Sequence, residues 1–419
     1  MTSGINRIVI IGAGQAGSSV AAILRSSGYS RAISLIGDEP IPPYQRPPLS
    51  KAFLKDEIGV DGLRLRSDSF HSDQKIDFRP GVMAERIDRD ARMVRLADGT
   101  SEPYDILVIA TGSRPRLLPG MGDVPAGVHH LRSIEDAQGL RSAICPGAEI
   151  ALVGGGYIGL EVAAAAVHLG ATAFVLEREE RLLPRVANAH VSDFLRHYHQ
   201  QRGVAIITDA AVAGFEQADG RMAGINLQDG RRYSCSAVLI GVGGVPNDEL
   251  ARDAGLRCDG GIVVDRDGRT DDPRIFAIGD VSRRPLPFND NRMHRLESVS
   301  NAIEQSRQVA ASVLSLARPE DEVPWFWSDQ FDVKLKSAGL AFDADRRILR
   351  GLPGGGNFSV LHLKDERLIC IETVNNAADF MAGRRLIASM AAIDVDKAAD
   401  SAFPLKNLVP MNNDRIARR

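Results

Sequence analysis

Short apolar runs along the chain alternate with glycine-containing turns and alanine-rich stretches. The first run, RIVII at 7–11, is continuous and largely β-branched, which is typical of a buried parallel strand. A GAGQAG turn follows at 12–17, and then a helical pattern of Ala, Val and Leu leads to a second apolar run at 33–36. This order predicts a β-α-β unit with its glycines at the first turn.

The same pattern occurs a second time, about 140 residues later. EIALV at 149–153 predicts a strand, GGGYIG at 154–159 a turn, 160–169 a helix, and 173–176 a strand that ends before Glu177. Further apolar runs at 106–110, 237–240 and 275–278 each lead into a glycine turn. In an open α/β sheet, ligands bind beside the carboxyl ends of strands, so the duplication predicts two dinucleotide-binding domains.

After about residue 323 the pattern changes. Both tryptophans lie close together in PWFW at 324–327, and the segments at 358–363 and 367–373 alternate like antiparallel strands. We therefore predict an α/β protein with two Rossmann-like dinucleotide-binding domains and a C-terminal α+β domain.

The composition gives no support for several classes of function. The 419 residues are 44% hydrophobic and carry a net charge of −3, so nothing indicates nucleic-acid or membrane binding. No run approaches the ~18 apolar residues of a membrane span, and the N-terminal stretch lacks the features of a signal peptide. We expect a cytoplasmic protein. The four cysteines are far apart in sequence, which predicts neither a redox CxxC pair nor a metal site.

The glycine turns predict two cofactors of different kinds. In GxGxxG, the first glycine permits the tight turn, the second lets the pyrophosphate approach the backbone, and the third lets helix and strand pack closely. Glu177 lies about 20 residues past the second turn, where a carboxylate binds ribose hydroxyls and repels a 2′-phosphate. The sequence thus favours NADH at the second turn. A flavin at the first would convert hydride transfer into single-electron transfer, so we predict FAD there.

The chain resembles the ferredoxin reductases that serve bacterial oxygenases, the putidaredoxin reductase and biphenyl dioxygenase reductase family, and more distantly apoptosis-inducing factor. Seven stretches that span nearly the whole chain carry this resemblance: PPYQRPPLSKAFL (42–54), ATGSRPR (110–116), GGGYIGLE (154–161), LEREERLLPRV (176–186), GRTDDPRIFAIGDV (268–281), RLESVSNAIEQ (295–305) and VPWFWSDQFDVKL (323–335).

The resemblance implies a glutathione-reductase-like arrangement of domains. It divides the chain into an FAD-binding domain at 1–112 and 244–322, an NADH-binding domain at 113–243, and a C-terminal domain at 323–419. It also implies the roles of the residues at the flavin. The pyrophosphate would be held by Gly12, Gly14, Ala16 and Gly17, and the FAD ribose by Asp38, with Glu39 as the alternative. The remaining flavin contacts would come from Arg46, Lys51, Ala84, Arg132, Asp280, Val299 and Trp327.

For NADH the resemblance implies Gly154, Gly156, Ile158, Gly159, Glu161, Glu177 and Gly243. Lys51 and Glu161 are the residues it places at the reaction itself, where a cation beside the flavin stabilises the negative charge of the reduced ring. No protein nucleophile is needed, because catalysis consists of placing the nicotinamide against the flavin.

The expected partner is an acidic [2Fe–2S] ferredoxin, which would supply a haem monooxygenase or a Rieske dioxygenase. Arg66 and Arg307 are the docking residues that the resemblance implies. Two other functions are the alternatives to this one. A disulfide or peroxide reductase needs a reactive cysteine beside the flavin, which 41–51 lacks. A redox signalling flavoprotein like apoptosis-inducing factor would keep both nucleotides but reduce ferredoxin poorly.

Overall fold

The computed structural model describes residues 4–118 and 125–410, and the chain forms two compact units. The first unit takes its residues from 1–48, 58–114 and 244–322, and the second from 49–57, 115–243 and 323–419. The chain therefore passes between the units several times. The four-segment domain division predicted from the sequence stays a prediction.

A five-stranded parallel sheet is the centre of the first unit. Its strands, in spatial order, are Ile275–Ala277, Ile106–Ile109, Arg7–Ile11, Ala32–Ile36 and Asp77–Arg79. Alternate residues of the central strand enter different cores: Ile8 and Ile10 belong to one buried cluster, and Val9 and Ile11 to another. Because both faces of the sheet are buried, the strand is apolar at every position, as the sequence predicts.

Helices cover one face of this sheet, and small sheets complete the unit. Gln15–Ser26 and Val299–Leu314 pack on the face that contains Ile8, and the short helices are Phe70–Asp73 and Glu249–Asp253. The remaining strands are Ala84–Asp88, Met93–Leu96, Ser101–Pro103, Ser113–Pro115, Gly244–Pro246, Ile262–Val263, Ser282–Leu286 and Arg292–His294, and the 3₁₀ turns are Val60–Leu63, Gly279–Val281 and Pro287–Asn289. A further 3₁₀ turn, Pro47–Ser50, contains the point in the chain where the first unit gives way to the second.

The second unit repeats the parallel sheet. Its strands, in spatial order, are Ala205–Ile207, Thr172–Leu176, Glu149–Val153, Ala237–Ile240 and Val128–His129. Its helices are Ile134–Ala143, Tyr157–His168 and Ala189–Gln200, and an antiparallel sheet follows with strands Val212–Ala218, Arg221–Leu227 and Arg232–Ser234. The Tyr157–His168 helix begins three residues earlier than the predicted 160, because Gly156 is already its N-cap.

The C-terminal part of the second unit is an antiparallel sheet with helices. The strand order is Trp325–Gln330, Val333–Gly339, Arg367–Val374, Asn357–Lys364 and Arg346–Leu352. The helices are Ala377–Ser389 and Val395–Ala399, and the 3₁₀ turns are Pro353–Gly355 and Leu405–Leu408. Two parallel α/β sheets and this α+β segment confirm the predicted fold class.

Candidate functional site

In the first glycine turn, one of the three glycines has free space where a side chain would be, directly before a helix. At Gly12, φ is +103°, and a Cβ would lie 2.2 Å from the carbonyl oxygen of Ala110; at Gly17, a Cβ would lie 1.9 Å from the carbonyl oxygen of Gly12. Gly14, the N-cap of Gln15–Ser26, is different, because a Cβ there would meet nothing within 4 Å. Close packing thus requires glycine at 12 and 17, whereas Gly14 leaves unoccupied space beside the backbone.

The space at Gly14 suits a phosphate. The N-cap makes no side-chain capping bond, and the first turn of the helix contains no acidic residue, so the positive end of the helix dipole is not neutralised locally. Ala16 is buried in this turn and would lie 3.0 Å from a Cβ at Gly279. These residues fit a dinucleotide pyrophosphate, and their assignment to FAD stays a prediction.

The two acids after the second strand of the first unit have different environments. Asp38 is exposed, and its Oδ1 accepts the backbone N–H of Glu39 at 3.1 Å. The carboxylate of Glu39 instead accepts the Tyr44 hydroxyl at 2.6 Å and the Arg46 guanidinium at 2.5 Å. Because the Glu39 carboxylate is already balanced by the Arg46 guanidinium, whereas the Asp38 carboxylate is exposed, Asp38 fits the predicted role of ribose ligand better than Glu39.

Arg46 is held as a cation by its neighbours. Its guanidinium lies 4.9 Å from the centre of the Tyr44 ring and pairs with Glu39. Burial lowers the pKa of Arg46, but the electrostatic interactions with Tyr44 and Glu39 outweigh burial and raise the pKa above its ordinary value. Its predicted role at the flavin is consistent with a permanent charge.

Asp280 and Val299 lie where two elements of the first unit begin or end. Asp280 is in the Gly279–Val281 turn after a parallel strand, and its Oδ2 accepts the Ser113 hydroxyl at 3.3 Å. Val299 is the first residue of Val299–Leu314, whose N-cap Ser298 accepts the Asn301 N–H at 3.2 Å. An N-terminal helix end favours negative charge nearby, as the predicted flavin contact requires.

The second glycine turn has the same design as the first. At Gly154, φ is +105°, and a Cβ would lie 2.6 Å from the carbonyl oxygen of Gly241; at Gly159, it would lie 2.3 Å from that of Gly154. Gly156, the N-cap of Tyr157–His168, has its nearest such atom at 3.9 Å, and neither a side-chain cap nor an acid in the first turn. A second pyrophosphate fits here.

Glu177 is part of this turn. Only 8% of it is exposed, and its Oε2 accepts the backbone N–H of Gly155 at 2.7 Å while its Oε1 accepts that of Glu179 at 3.0 Å. A carboxylate oxygen has a second lone pair, so ribose hydroxyls can still donate to it. The carboxylate therefore shapes the glycine turn in addition to its predicted role at the NADH ribose.

Two other predicted NADH residues, Ile158 and Gly243, follow the carboxyl ends of neighbouring strands of this sheet. Ile158 is 46% exposed although it is apolar, and it follows the open Gly156 by two positions. Gly243, with φ +107°, comes after the strand Ala237–Ile240, and its carbonyl accepts the Arg116 N–H at 2.9 Å. An exposed apolar side chain beside an open turn is consistent with contact to a ligand.

Lys51 and Glu161, the two predicted reaction residues, form a largely buried ion pair in the second unit. The Lys51 Nζ lies 2.6 Å from Glu161 Oε2, and the two side chains are 19% and 4% exposed. Ser50 also donates to Oε2, and Ser328 donates to Oε1 at 2.6 Å. Sequence reasoning alone reads Lys51 as a surface lysine, whereas the structure gives it a buried counter-ion.

Hydrogen bonds join this pair, directly or through one another, to four polar residues that were not predicted from the sequence. They are Ser50, Ser328, Gln330 and His199. In Trp325–Gln330, every second residue points inward, so Ser328 and Gln330 share the face towards Glu161 while the tryptophans occupy the other. The sequence signal for these buried residues is the alternation of inward and outward side chains along a strand. In WFWSDQ this alternation is obscured, because bulky apolar residues occupy both faces of the strand.

Three predicted flavin contacts, Lys51, Arg132 and Trp327, belong to the second unit, whereas the others, including Ala84, belong to the first. Ala84 is buried at the start of Ala84–Asp88. Arg132 is half-buried just before Ile134–Ala143, and its N–H donates to Asp136 at 2.8 Å. The Trp327 ring lies 5.5 Å from that of Trp325. The flavin roles of these residues stay predictions.

The two predicted docking arginines are exposed in the first unit. The Arg66 guanidinium lies 5.3 Å from the Phe70 ring. The Arg307 guanidinium, on Val299–Leu314, pairs with Glu322 at 2.5 Å, and its side chain is 50% exposed. Arg307 therefore contributes little net charge in this state, because Glu322 balances it.

Three of the four thiols are poorly suited to redox chemistry. All four cysteines are free. Burial raises the pKa of Cys235 to about 12 and that of Cys258 to about 11, and it raises the pKa of Cys370 well above its ordinary value. Since the thiolate is the reactive form, these three are inert at neutral pH.

Across residues 4–118 and 125–410, no group of three or more His, Cys, Asp or Glu side chains is arranged to hold a metal ion. Within the same ranges, every helix is too short or too polar to cross a membrane.

Comparison with known proteins gives two family matches. Residues 6–306 match the pyridine nucleotide-disulphide oxidoreductase family, and residues 325–409 match the reductase C-terminal domain. A probable ferredoxin reductase from Castellaniella defragrans is 49% identical over 94% of this chain and 96% of its own length. Rhodocoxin reductase from Rhodococcus erythropolis is 42% identical over 97% of this chain and 95% of its own length.

Solved structures agree with these matches. Putidaredoxin reductase, in its covalent complex with putidaredoxin, superposes with a TM-score of 0.94 at 37% identity, over 96% of this chain and 98% of that one. A ferredoxin reductase from Rhodopseudomonas palustris gives 0.93 at 38% identity, over 97% and 100%. The chain therefore belongs to the pyridine nucleotide-disulphide oxidoreductase family and, within it, to the ferredoxin reductases that the sequence motifs indicated.

Proposed function

We propose that this chain takes a hydride from NADH on a bound FAD and passes single electrons to a [2Fe–2S] ferredoxin. The observation that carries the proposal is the pair of open glycines. Gly14 and Gly156 each stand before the N-terminus of a 12-residue helix, without a side-chain cap and without an acid in the first turn. Two such positions in one chain supply sites for two dinucleotides.

The residues around each turn assign the two nucleotides. Glu177, at the second turn, offers a carboxylate to ribose hydroxyls and repels a 2′-phosphate, which favours NADH over NADPH. Asp38 offers the exposed carboxylate at the first turn. When FAD is bound, it accepts two electrons as a hydride and releases them one at a time. Lys51, oriented by its ion pair with Glu161, would turn the positive end of that pair towards the reduced ring.

The electron acceptor is proposed to lie outside the chain. Three of the four thiols have a raised pKa and so do not act as an internal disulfide acceptor. Among the relatives, putidaredoxin reductase forms a complex with putidaredoxin. By analogy, we propose an acidic ferredoxin that supplies a haem monooxygenase or a Rieske dioxygenase, in the cytoplasm, where NADH is available.

Rapid mixing of the purified, FAD-loaded protein tests the proposal. Under anaerobic conditions, NADH should reduce the flavin on the timescale of rapid mixing, seen as a loss of the visible flavin absorbance. NADPH at the same concentration should reduce it much more slowly. A [2Fe–2S] ferredoxin added next should be reduced as the flavin colour returns. Ferricyanide, a small acceptor that needs no docking surface, serves as the control for flavin reduction itself.

Two results would contradict the proposal. Protein that is colourless and does not take up FAD would remove the flavin from the mechanism. A long-lived charge-transfer complex after NADH, with little electron transfer to any ferredoxin, would instead indicate a redox signalling protein.

A further inference from the structure

A line of hydrogen bonds leads from the Lys51–Glu161 pair into the interior of the second unit. The Ser328 hydroxyl lies 2.6 Å from Glu161 Oε1, Gln330 Nε2 lies 3.1 Å from the Ser328 oxygen, and His199 Nε2 lies 2.9 Å from Gln330 Oε1. Ser328 and His199 are fully buried, and Gln330 is 1% exposed. Buried polar groups at three successive positions require a reason, because each is costly to desolvate.

The protons along this line have one possible order. An ionised carboxylate only accepts, so Ser328 donates its single proton to Glu161. The Ser328 oxygen must then accept, which fixes the Gln330 amide with its nitrogen towards Ser328 and its oxygen towards His199. The Gln330 oxygen in turn requires a proton on His199 Nε2. Every donor therefore points towards the Glu161 carboxylate, and this alignment strengthens each bond.

The surroundings of His199 keep it in this state. Its Nδ1 is buried without a hydrogen-bond partner in the described part of the chain, as expected for a ring nitrogen that carries no proton. The ring packs against Phe331, with 5.1 Å between ring centres, and Arg202 is the charged group that faces it. Burial lowers the pKa of His199 to about 4, and Arg202 adds to the effect. The imidazole is neutral at pH 7.

We propose that Gln330 and His199 are positioning residues for hydride transfer, which act through Ser328 to fix the Glu161 carboxylate and thereby the Lys51 ammonium. Neither residue is required to touch a cofactor. Ser50 and Lys51 hold one oxygen of Glu161 from one side, and this line holds the other oxygen. With both oxygens fixed, the carboxylate cannot rotate, so the ammonium has a single position.

This inference rests on the proposed function, in which the Lys51 charge favours the reduced flavin. Without Gln330 and His199 behind it, the Ser328 hydroxyl is held less firmly, so one oxygen of Glu161 is less fixed and Lys51 is less constrained. This weakens the stabilisation of the reduced ring. We therefore expect slower flavin reduction and a lower flavin reduction potential. The affinity for NADH should change less, because Glu161 keeps its place and most of the predicted NADH residues lie at the second glycine turn.

Three substitutions test the inference. His199→Phe keeps a ring against Phe331 but removes the donor, and flavin reduction by NADH should slow about tenfold, the effect of losing one buried hydrogen bond. His199→Gln returns an N–H donor at a similar reach and should restore most of the rate. His197→Phe is the matched control, because His197 is exposed two residues earlier on the same helix, and it should behave as the parent protein.

Two measurements do not depend on NADH turnover. Nitrogen NMR of the histidine rings should show His199 as the Nε2–H tautomer, still neutral at pH 5. The flavin reduction potential should fall in His199→Phe and in Gln330→Met, a second variant that keeps the volume of residue 330, and should recover in His199→Gln.

The outcomes separate the inference from the proposed function. If the parent protein is not reduced by NADH, the proposed function fails, and the NMR result still decides whether the line has the stated direction. An Nδ1–H tautomer, or a His199→Phe protein with the parent rate and potential, would overturn the inference even where NADH reduces the flavin normally.

Discussion

At the scale of single residues, Glu177 combines a structural role with a proposed role in binding. Its carboxylate accepts two backbone N–H groups, from Gly155 and Glu179, and is proposed to bind the NADH ribose. We expect Glu177→Arg to lower kcat/KM for NADH and raise it for NADPH, so that their ratio shifts by at least about tenfold, the effect of one charge-assisted hydrogen bond. Steady-state kinetics with both nucleotides measures the ratio.

Glu177→Arg also leaves two backbone donors without their acceptor. The free energy of unfolding should fall by roughly 1–3 kcal/mol for each one that stays buried, and denaturant unfolding measures the loss. Glu179→Arg is the control, because that side chain is 47% exposed and pairs only with Arg178 among the described ion pairs. An unchanged preference for NADH in Glu177→Arg would refute the ribose assignment.

His199 gives a prediction about pH. Burial lowers its pKa to about 4 in the folded protein, against an ordinary value of 6.5. The unfolded chain therefore binds the proton more tightly, and the folded state loses stability as the pH falls from 6.5 towards 4. At pH 5 the loss is about 2 kcal/mol. His199→Phe should lack this loss, so its denaturation midpoint should fall less than that of the parent between pH 7 and 5.

Other buried or half-buried histidines also lower the stability of the parent protein in acid, so only the difference between variants isolates His199. Burial lowers the pKa of His71, His129 and His294 as well. His197→Phe keeps all of these and His199, and it should follow the parent curve. Parallel curves for His199→Phe and the parent would contradict the assigned pKa.

At the scale of elements, each glycine turn contains some glycines that the fold requires and one that is proposed to serve ligand binding. In the first turn, a Cβ at Gly17 would lie 1.9 Å from a backbone oxygen, whereas one at Gly14 would meet nothing within 4 Å. We expect Gly17→Ala to destabilise the protein by several kcal/mol with or without FAD, since backbone must move. Gly14→Ala should fold normally yet lose FAD, because its methyl group occupies the proposed pyrophosphate space.

Thermal melting of the FAD-free proteins and visible absorbance of the loaded ones distinguish these effects. Gly156→Ala is the matched variant in the second turn, and it should keep its FAD while its affinity for NADH falls. Normal FAD content in Gly14→Ala would show that the open space is not the FAD site.

The helices and strands could be predicted from the sequence because local chemistry determines them. Apolar runs such as 7–11 become strands buried on both faces, and the glycine spacing places the turns. Polar contacts between distant segments could not be predicted from the sequence, because the register of the strands and the direction of the side chains determine them. Ser328 meets Glu161 across 167 positions, and Gln330 meets His199 across 131, while nothing in the local pattern of any of them marks it as buried.

At the scale of the whole molecule, electron transfer to a protein partner depends on charge at the surface. Arg307 is predicted to meet an acidic ferredoxin, but Glu322 lies 2.5 Å from it and cancels its charge. Two opposite substitutions follow. Arg307→Glu places two carboxylates together and should slow ferredoxin reduction, whereas Glu322→Gln leaves the arginine unbalanced and should speed it.

Both effects should be largest at low ionic strength and should converge on the parent rate at about 0.5 M salt, where charges are screened over a few ångströms. Ferricyanide reduction should be much less affected than ferredoxin reduction, which separates docking from flavin chemistry. The two variants must change the rate in opposite directions, because local disruption of the helix would lower both. If Glu322→Gln is also slower, or if neither rate depends on salt, Arg307 is not part of the docking surface, and steering by charge must come from Arg66 or other basic groups.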